Sequence, residues 1–411
     1  MASLSDRLKA LGVRVGEAGI SNLAKPRHPI ETVIEGELRE TNQGEVFVVE
    51  ETYRLEYAHG NGKIALSTSL DIIAAYAGEE KIAKAKPEEL VFLDTETTGL
   101  AGGGGTYAFM VGAGRFEGDI FRLAQFFMRD PGHEQALLLA VEEFVAPCHT
   151  LVTFNGKSFD APLLETRYIT NRLPSPLKAM AHFDLLHLSR RVWRERLPDR
   201  SLGYLEQHIL GETRIEEDVP GWMIPGLYLD FVRSGDARPL RGVFYHNLMD
   251  ILTMVALTGR LAEMLVDPLG SAIQHAEDLL SIGYLFEDLD LHDRAVQIIE
   301  ESLNRELPAQ AYARALERLA HLHRRRGDRE SALSLWWQAA ADRHIYAHVE
   351  LAKHYEHQEN NFAEALRWTE AALAILNASG VPRYEKLQWE GELQHRKKRL
   401  EDKLAKTNSG E

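Results

Sequence analysis

The chain has 411 residues, 45% hydrophobic and 27% charged, and carries a formal net charge of −15. Its length allows two or three domains with cores of their own. Its acidity excludes a generally basic nucleic-acid binder, so a polyanion must be met by a local basic patch or by bound metal. The single cysteine, Cys148, excludes an internal disulfide, and no apolar run reaches signal-peptide or membrane-spanning length; a cytoplasmic protein without membrane contact is expected.

Residues 1–87 read as a small β-rich segment. Spacing predicts a short amphipathic helix at 5–11 and another helix at 69–77. Residues 31–38 and 45–57 alternate apolar and polar side chains around Asn42-Gln43-Gly44, a hairpin signal. His59, in His59-Gly60-Asn61-Gly62, reads as a turn residue rather than a ligand.

Residues 88–266 alternate strands with helices, hence α/β. A strand at 90–94 is followed by a turn with Gly99 and the glycines 102–105, then strands at 106–116 and 120–128 joined through Glu117-Gly118-Asp119. A helix at 133–145, a strand at 150–154 and a helix at 161–169 follow. The glycine run precedes a strand and lacks the Gly-Lys-Ser/Thr ending of a phosphate loop. Asp94 and Glu96 are two apart, so a strand projects both to one face. Adjacent like charges raise each other's pKa unless a cation intervenes, and oxygen ligands suit Mg²⁺ or Mn²⁺; the alternative is a strand running into a solvated turn. Asp160, just before Ala161-Pro162, is either a helix N-cap or a metal ligand. Asn155 and Lys157 are candidates for phosphate contact, or plain turn residues.

Further on, Asp184 heads a basic helix and reads as structural or as a support for the site. Arg190, Arg191, Arg194, Arg196 and Arg200 crowd around Trp193, whose ring is a candidate to stack on a base; the alternative is a solvated helix face. A helix at 202–210, a loop at 219–226 bordering a groove and a short helix at 227–233 precede a long apolar helix through Leu261. His246 and Asp250 lie four apart, on one helix face: a metal ligand beside a titratable base, or a buried His–Asp hydrogen bond. In residues 270–406 strands disappear. Ala295, Ala332 and Ala365 recur at 37 and 33 positions, and Ala339 and Ala372 each follow seven later. That approaches the tetratricopeptide period and predicts a helical repeat array with a concave surface for a protein partner, closed by a helix at 384–403 and a frayed tail.

The run VFLDTETTGL, residues 91–100, resembles the first motif of the DEDD superfamily of 3′–5′ exonucleases, which share an RNase H-like fold. The following AGGGGTYAFMVGAGRF narrows the resemblance to the YprB-type RNase H-like family, whose members often carry tetratricopeptide repeats behind the nuclease-like domain. FNGKSFDAPLL resembles the second exonuclease motif, and Tyr245-His246-Asn247 with Asp250 resembles the third in its YprB-type form. The resemblance covers roughly residues 88–400. It implies a mixed sheet flanked by helices at 88–266, then tetratricopeptide-like helices at 270–406. It also implies that Asp94, Glu96, Asp160 and Asp250 hold two divalent metals, Mg²⁺ or Mn²⁺, roughly 4 Å apart. His246 stands where one DEDD subclass has Tyr, four before the Asp, and Tyr245 where the other has His, five before it. His246 is therefore the expected general base, with Tyr245 the lesser candidate. Thr97, Asn155, Lys157, Arg190, Arg191, Trp193 and Arg194 are the expected contacts to nucleic acid. The implied activity is 3′–5′ exonuclease action on single-stranded DNA or RNA. The rivals are a nuclease-derived scaffold whose repeats recruit a protein, and a structure-specific endonuclease.

Overall fold

The computed structural model describes residues 28–99, 105–215, 217–270, 273–378 and 381–409. The helix expected at 5–11 and the glycines 102–104 lie outside the described residues. The chain divides into two compact units, Met1–Ala272 and Ile273–Glu411.

The first unit is built on a mixed seven-stranded sheet. Its strands are β1 (Glu37–Thr41), β2 (Gly44–Arg54), β5 (Leu90–Thr97), β6 (Ala108–Glu117), β7 (Ile120–Phe127), β8 (Thr150–Thr153) and β9 (Ala181–Asp184); β3 (Ala58–His59) and β4 (Gly62–Lys63) form a separate two-residue hairpin. The order is β1-β2-β7-β6-β5-β8-β9. β5 pairs antiparallel with β6 on one side and parallel with β8 on the other, and β8 pairs parallel with β9. The Leu90-Val91-Phe92-Leu93 half of β5 is fully buried, the continuous apolar run expected of a strand covered on both faces. Val91 and Leu93 join the core formed with Leu137 and Val141 of α2 (Glu134–Val145) and Leu164 and Tyr168 of α3 (Asp160–Thr170). α1 is Asp71–Ala77. Phe92 packs edge-on to Phe116 and Phe121. Each such buried ring contributes roughly 1.5–3 kcal/mol relative to an exposed one.

Three expectations change. The run 31–38 is not a strand throughout: Ile30–Val33 is one helical turn after Pro29, Thr32 Oγ1 donates to the Pro29 carbonyl at 2.9 Å, and Ile30 is buried. Proline fixes φ for a helix entry, which a period-two pattern does not register. The β1–β2 hairpin extends the main sheet, with Phe47 opposite Phe127 and Arg54 opposite Ile120. The helix at 202–210 is one α-turn, Leu202–Leu205, followed by a π-helical turn, Glu206–Leu210, stopped by Gly211 at φ +68°. Beyond it α4 is Leu185–Trp193, α5 Ile224–Ser234 and α6 Leu240–Val266.

The second unit is a stack of helices among its described residues: α7 (Ala276–Asp288), α8 (His292–Leu303), α9 (Ala309–Arg325), α10 (Arg329–Ala341), α11 (Ile345–His357), α12 (Phe362–Leu376) and α13 (Arg383–Ser409). The periodic alanines Ala295, Ala332, Ala339, Ala365 and Ala372 are all fully buried, where only a methyl group lets neighbouring helices close up. The arrangement is consistent with a helical repeat region.

Candidate active site

β5 projects Asp94 and Glu96 to one side, opposite Gly112 and Met110 of β6. A Cβ on Gly112 would lie 2.1 Å from Asn247 Oδ1. The glycine therefore admits Asn247 of α6, which donates from Nδ2 to Asp94 Oδ2 at 2.9 Å. Gln125 in turn donates to Asn247 Oδ1 at 3.0 Å and to the Phe244 carbonyl at 2.8 Å. This buried relay sets the orientation of the first carboxylate.

Asp160 opens α3 but does not cap it. Its Oδ1 accepts from the Thr95 N–H at 3.2 Å and from the Thr95 hydroxyl, tying the second acidic segment to the first. The preceding loop is held by Asp184, which accepts from the N–H groups of Asn155 (2.8 Å), Lys157 (3.0 Å) and Leu186 (3.0 Å). Asn155 sits at φ +66°, a left-handed conformation that asparagine tolerates better than most residues.

α6 brings His246 and Asp250 to the same place. Asp250 Oδ1 accepts from Arg214 Nη2. Arg214 also donates from Nε to Glu206 Oε2 at 2.6 Å, and its Nη1 lies 3.6 Å from Asp218 Oδ2. His246 Nδ1 is 2.8 Å from Asp218 Oδ1 and 3.2 Å from Arg214 Nη1, while Nε2 is 3.6 Å from Asp250 Oδ2. A carboxylate needs a proton on Nδ1, whereas a guanidinium needs a lone pair there. The shorter contact places a proton on Nδ1 for Asp218, while Nε2, 3.6 Å from Asp250 Oδ2, is beyond hydrogen-bond reach of it. Glu206, Glu212, Arg214, Asp218, His246 and Asp250 line a cleft of about 400 Å³.

Crowding shows in the acidities. Removal from water, then the charges of Asp250, Asp160 and Glu96, raises Asp94 well above the carboxylate range. Glu96, 8% exposed, is pushed up to about 8 by burial and by Asp250 and Asp160, against the opposing pull of Arg214. Asp160 rises to about 6, chiefly through burial, although the Thr95 hydrogen bonds pull it down. Four mutually repelling oxygen donors are the chemistry that a hard divalent cation satisfies. As the side chains stand, no group of three or more His, Cys, Asp or Glu among the described residues is gathered to hold a metal ion. Asp94 is turned to Asn247, Asp160 to Thr95 and Asp250 to Arg214. The donor set fits Mg²⁺ or Mn²⁺, and taking one up requires these side chains to turn.

The other candidates fall in several places. Thr97 Oγ1 donates to the Gly99 carbonyl at 2.9 Å and holds the turn. The Tyr245 hydroxyl accepts from the Ile215 N–H at 3.1 Å, anchoring the loop that carries Arg214. Asn155 and the exposed Arg190 line a second cleft of about 390 Å³ with Arg200 and Ser201. Lys157 and Arg194 are exposed, Arg194 with Glu195 3.5 Å away, and Arg191 is half-buried. Trp193 corrects an expectation: it is fully buried, because the apolar face of α4 turns it into the core, and it presents no ring to a base. His59 is likewise more than a turn residue. It is 2% exposed, with Nε2 2.8 Å from Thr253 Oγ1 and 3.5 Å from Glu206 Oε1. Reading the sequence missed Arg214, Asp218, Glu206 and Thr95. Only the i,i+4 spacing of Arg214 and Asp218 hinted at them, and such pairs are common on any surface.

The family model RNase_H_2, of the RNase_H superfamily, matches residues 91–262, which contain all four acidic candidates and His246. The chain is 32% identical over 360 residues to "Uncharacterized protein YprB" of Bacillus subtilis (strain 168), over 83% of this chain and 85% of that protein. Among solved structures it resembles the family B DNA polymerase of the hyperthermophilic archaeon Pyrobaculum calidifontis at 14% identity and a TM-score of 0.33, over 53% of this chain and 29% of the polymerase.

Proposed function

The chain belongs to the YprB family and its first unit carries an RNase H-like domain of the nuclease superfamily, and on that premise we propose that it is a divalent-metal-dependent nuclease, acting as a 3′–5′ exonuclease on single-stranded DNA or RNA. The observation that carries the reading is the gathering of Asp94 with the buried Glu96 and Asp160 beside Asp250 and His246, with Asp94 and Glu96 each raised by burial and by the charges of Asp250 and Asp160. Buried carboxylates that raise one another are kept in a fold where a cation or a reaction makes use of them.

Asp94, Glu96, Asp160 and Asp250 are the proposed ligands. Bound Mg²⁺ or Mn²⁺ supplies activation of the attacking water and stabilisation of the leaving 3′-oxygen. Asn247 and Thr95 hold their carboxylates in place. His246, oriented by Asp218 through Nδ1, takes the proton of the attacking water at Nε2. Arg190 and Asn155 meet phosphates along the neighbouring cleft, and the exposed Lys157, two residues after Asn155, meets one beside it. Trp222, 73% exposed and next to Gly221, takes the stacking role expected of Trp193; a Cβ on Gly221 would lie 4.0 Å from His246 Nε2. The helices of the second unit are read as tetratricopeptide-like repeats that bind a protein partner.

The test is a time course on end-labelled single-stranded DNA and RNA with Mn²⁺, comparing wild type, Asp94→Asn and His246→Ala. A ladder of shortened products abolished by Asp94→Asn, and slowed about 10²–10⁴-fold by His246→Ala, is expected. The Arg214–Asp250 pair favours a second reading, a nuclease-derived scaffold that binds nucleic acid without cutting it. Binding of the same oligonucleotides with no cleavage by wild type in either metal would select it.

A further inference from the structure

Arg214 is the one lysine or arginine among the described residues lining the 400 Å³ cleft, and its side chain is 13% exposed. Its two carboxylate contacts differ in kind. Glu206, 2% exposed, is fixed from behind: its Oε1 accepts from Thr253 Oγ1 at 2.9 Å and lies 3.5 Å from His59 Nε2, while its Oε2 receives Arg214 Nε. Asp250 belongs to the acidic cluster, and among the described residues its side-chain polar partners are Arg214 and, at 3.6 Å, His246, with no anchor of that kind. A buried guanidinium stripped of every partner is strongly unfavourable. Arg214 avoids that if it releases Asp250, because Glu206 at 2.6 Å and Asp218 at 3.6 Å remain.

We propose that Arg214 is a tethered counter-ion that competes with the divalent cation for Asp250. Without metal its guanidinium supplies the positive charge the cluster lacks. On metal uptake Asp250 exchanges one cation for the other, and Arg214 stays on Glu206 and Asp218 with an arm free to face a substrate phosphate. The geometry thus sets a threshold: divalent cation must outbid a charge built into the chain. This rests on the reading of Asp94, Glu96, Asp160 and Asp250 as a cation site.

The test is Mn²⁺ binding by the full chain without nucleic acid, followed by calorimetry and by the loss of the free-ion electron paramagnetic resonance signal. Arg214→Gln is expected to tighten Mn²⁺ on the order of tenfold, the equivalent of one modest ion pair. It should also lower the melting temperature in EDTA. Glu206→Gln, which keeps the guanidinium but removes its rear partner, is expected to move the other way and weaken Mn²⁺. Unchanged or weaker Mn²⁺ binding in folded Arg214→Gln overturns the proposal. If that variant does not fold, Glu206→Gln decides: weaker binding supports competition, unchanged or tighter binding overturns it. Wild-type binding that is lost in Asp94→Asn but unmoved in Arg214→Gln would leave the metal site standing and remove the competitor. Absence of binding in both wild type and Arg214→Gln would remove both.

Discussion

Glu96 shows how a single side chain makes the site a liability as well as a tool. Its carboxyl, at about 8 in the folded chain against an ordinary 4.5, holds a proton that the unfolded chain releases. Stability is therefore fully present below about 4.5 and is lost as the pH rises toward 8. In EDTA, the melting temperature is expected to fall between pH 5 and pH 8 in wild type, and to fall less in Glu96→Gln; equal slopes for the two proteins would contradict the assignment. Gly112 carries a different constraint. Gly112→Ala drives a methyl into Asn247, the donor to Asp94, and is expected to destabilise by about 1–3 kcal/mol, read from the urea midpoint. Asp218 acts through His246: Asp218→Asn should lower kcat by up to about 10²-fold while Mn²⁺ binding is retained.

At the scale of elements, one strand, two helices and one loop meet, with α3 bringing Asp160 against Thr95 of the strand. β5 contributes two carboxylates by its pleat and α6 contributes His246, Asn247 and Asp250 by its turn. The loop with Arg214 and Asp218 is pinned from outside. Gly60 N–H donates to Glu212 Oε2 at 2.6 Å, and Asn61 N–H to the Leu210 carbonyl at 2.5 Å. Gly60 lies at φ +58°, and a Cβ there would stand 2.1 Å from the Leu210 oxygen. The β3–β4 hairpin, which shows no chemistry in the sequence, thus braces the cleft. His59→Ala leaves Thr253 and Glu206 short of a buried partner and is expected to cost about 1–3 kcal/mol, measured by thermal unfolding. On the rim, Trp222→Ala should raise KM on single strands with kcat largely kept, since one stacked base contributes about 1–3 kcal/mol. An unchanged KM would assign Trp222 elsewhere.

Across the whole molecule, two carboxylate settings contrast. In the acidic cluster of the first unit, carboxylates repel one another. In the second, Glu356 of α11 accepts from Arg396 (2.7 Å), Arg399 (2.8 Å) and Lys403 (3.0 Å) of α13. Burial opposes its ionisation, but the bonds and charges of Arg399 and Lys403 prevail and draw it down to about 2. Its contribution is present above about 4.5 and lost as the pH falls toward 2. Glu356→Gln is expected to lower stability at pH 7 by about 1–3 kcal/mol and to flatten the acid limb of the unfolding profile. No described helix is long and apolar enough to cross a membrane.

What the sequence by itself determined was local. Period-two and period-four spacing place Asp94 with Glu96, and His246 within 3.6 Å of Asp250, because a strand and a helix each impose one repeat on neighbouring side chains. The buried run of β5 and the recurring alanines declared the α/β sheet and the helical stack in the same way. What only the tertiary structure decided was partnership across distance. Arg214 meets Asp250 across a separation of 36 positions in the chain, and His59 reaches Thr253 across 194. Charge and packing depend on which segments are brought together, and no repeat within one segment carries that information.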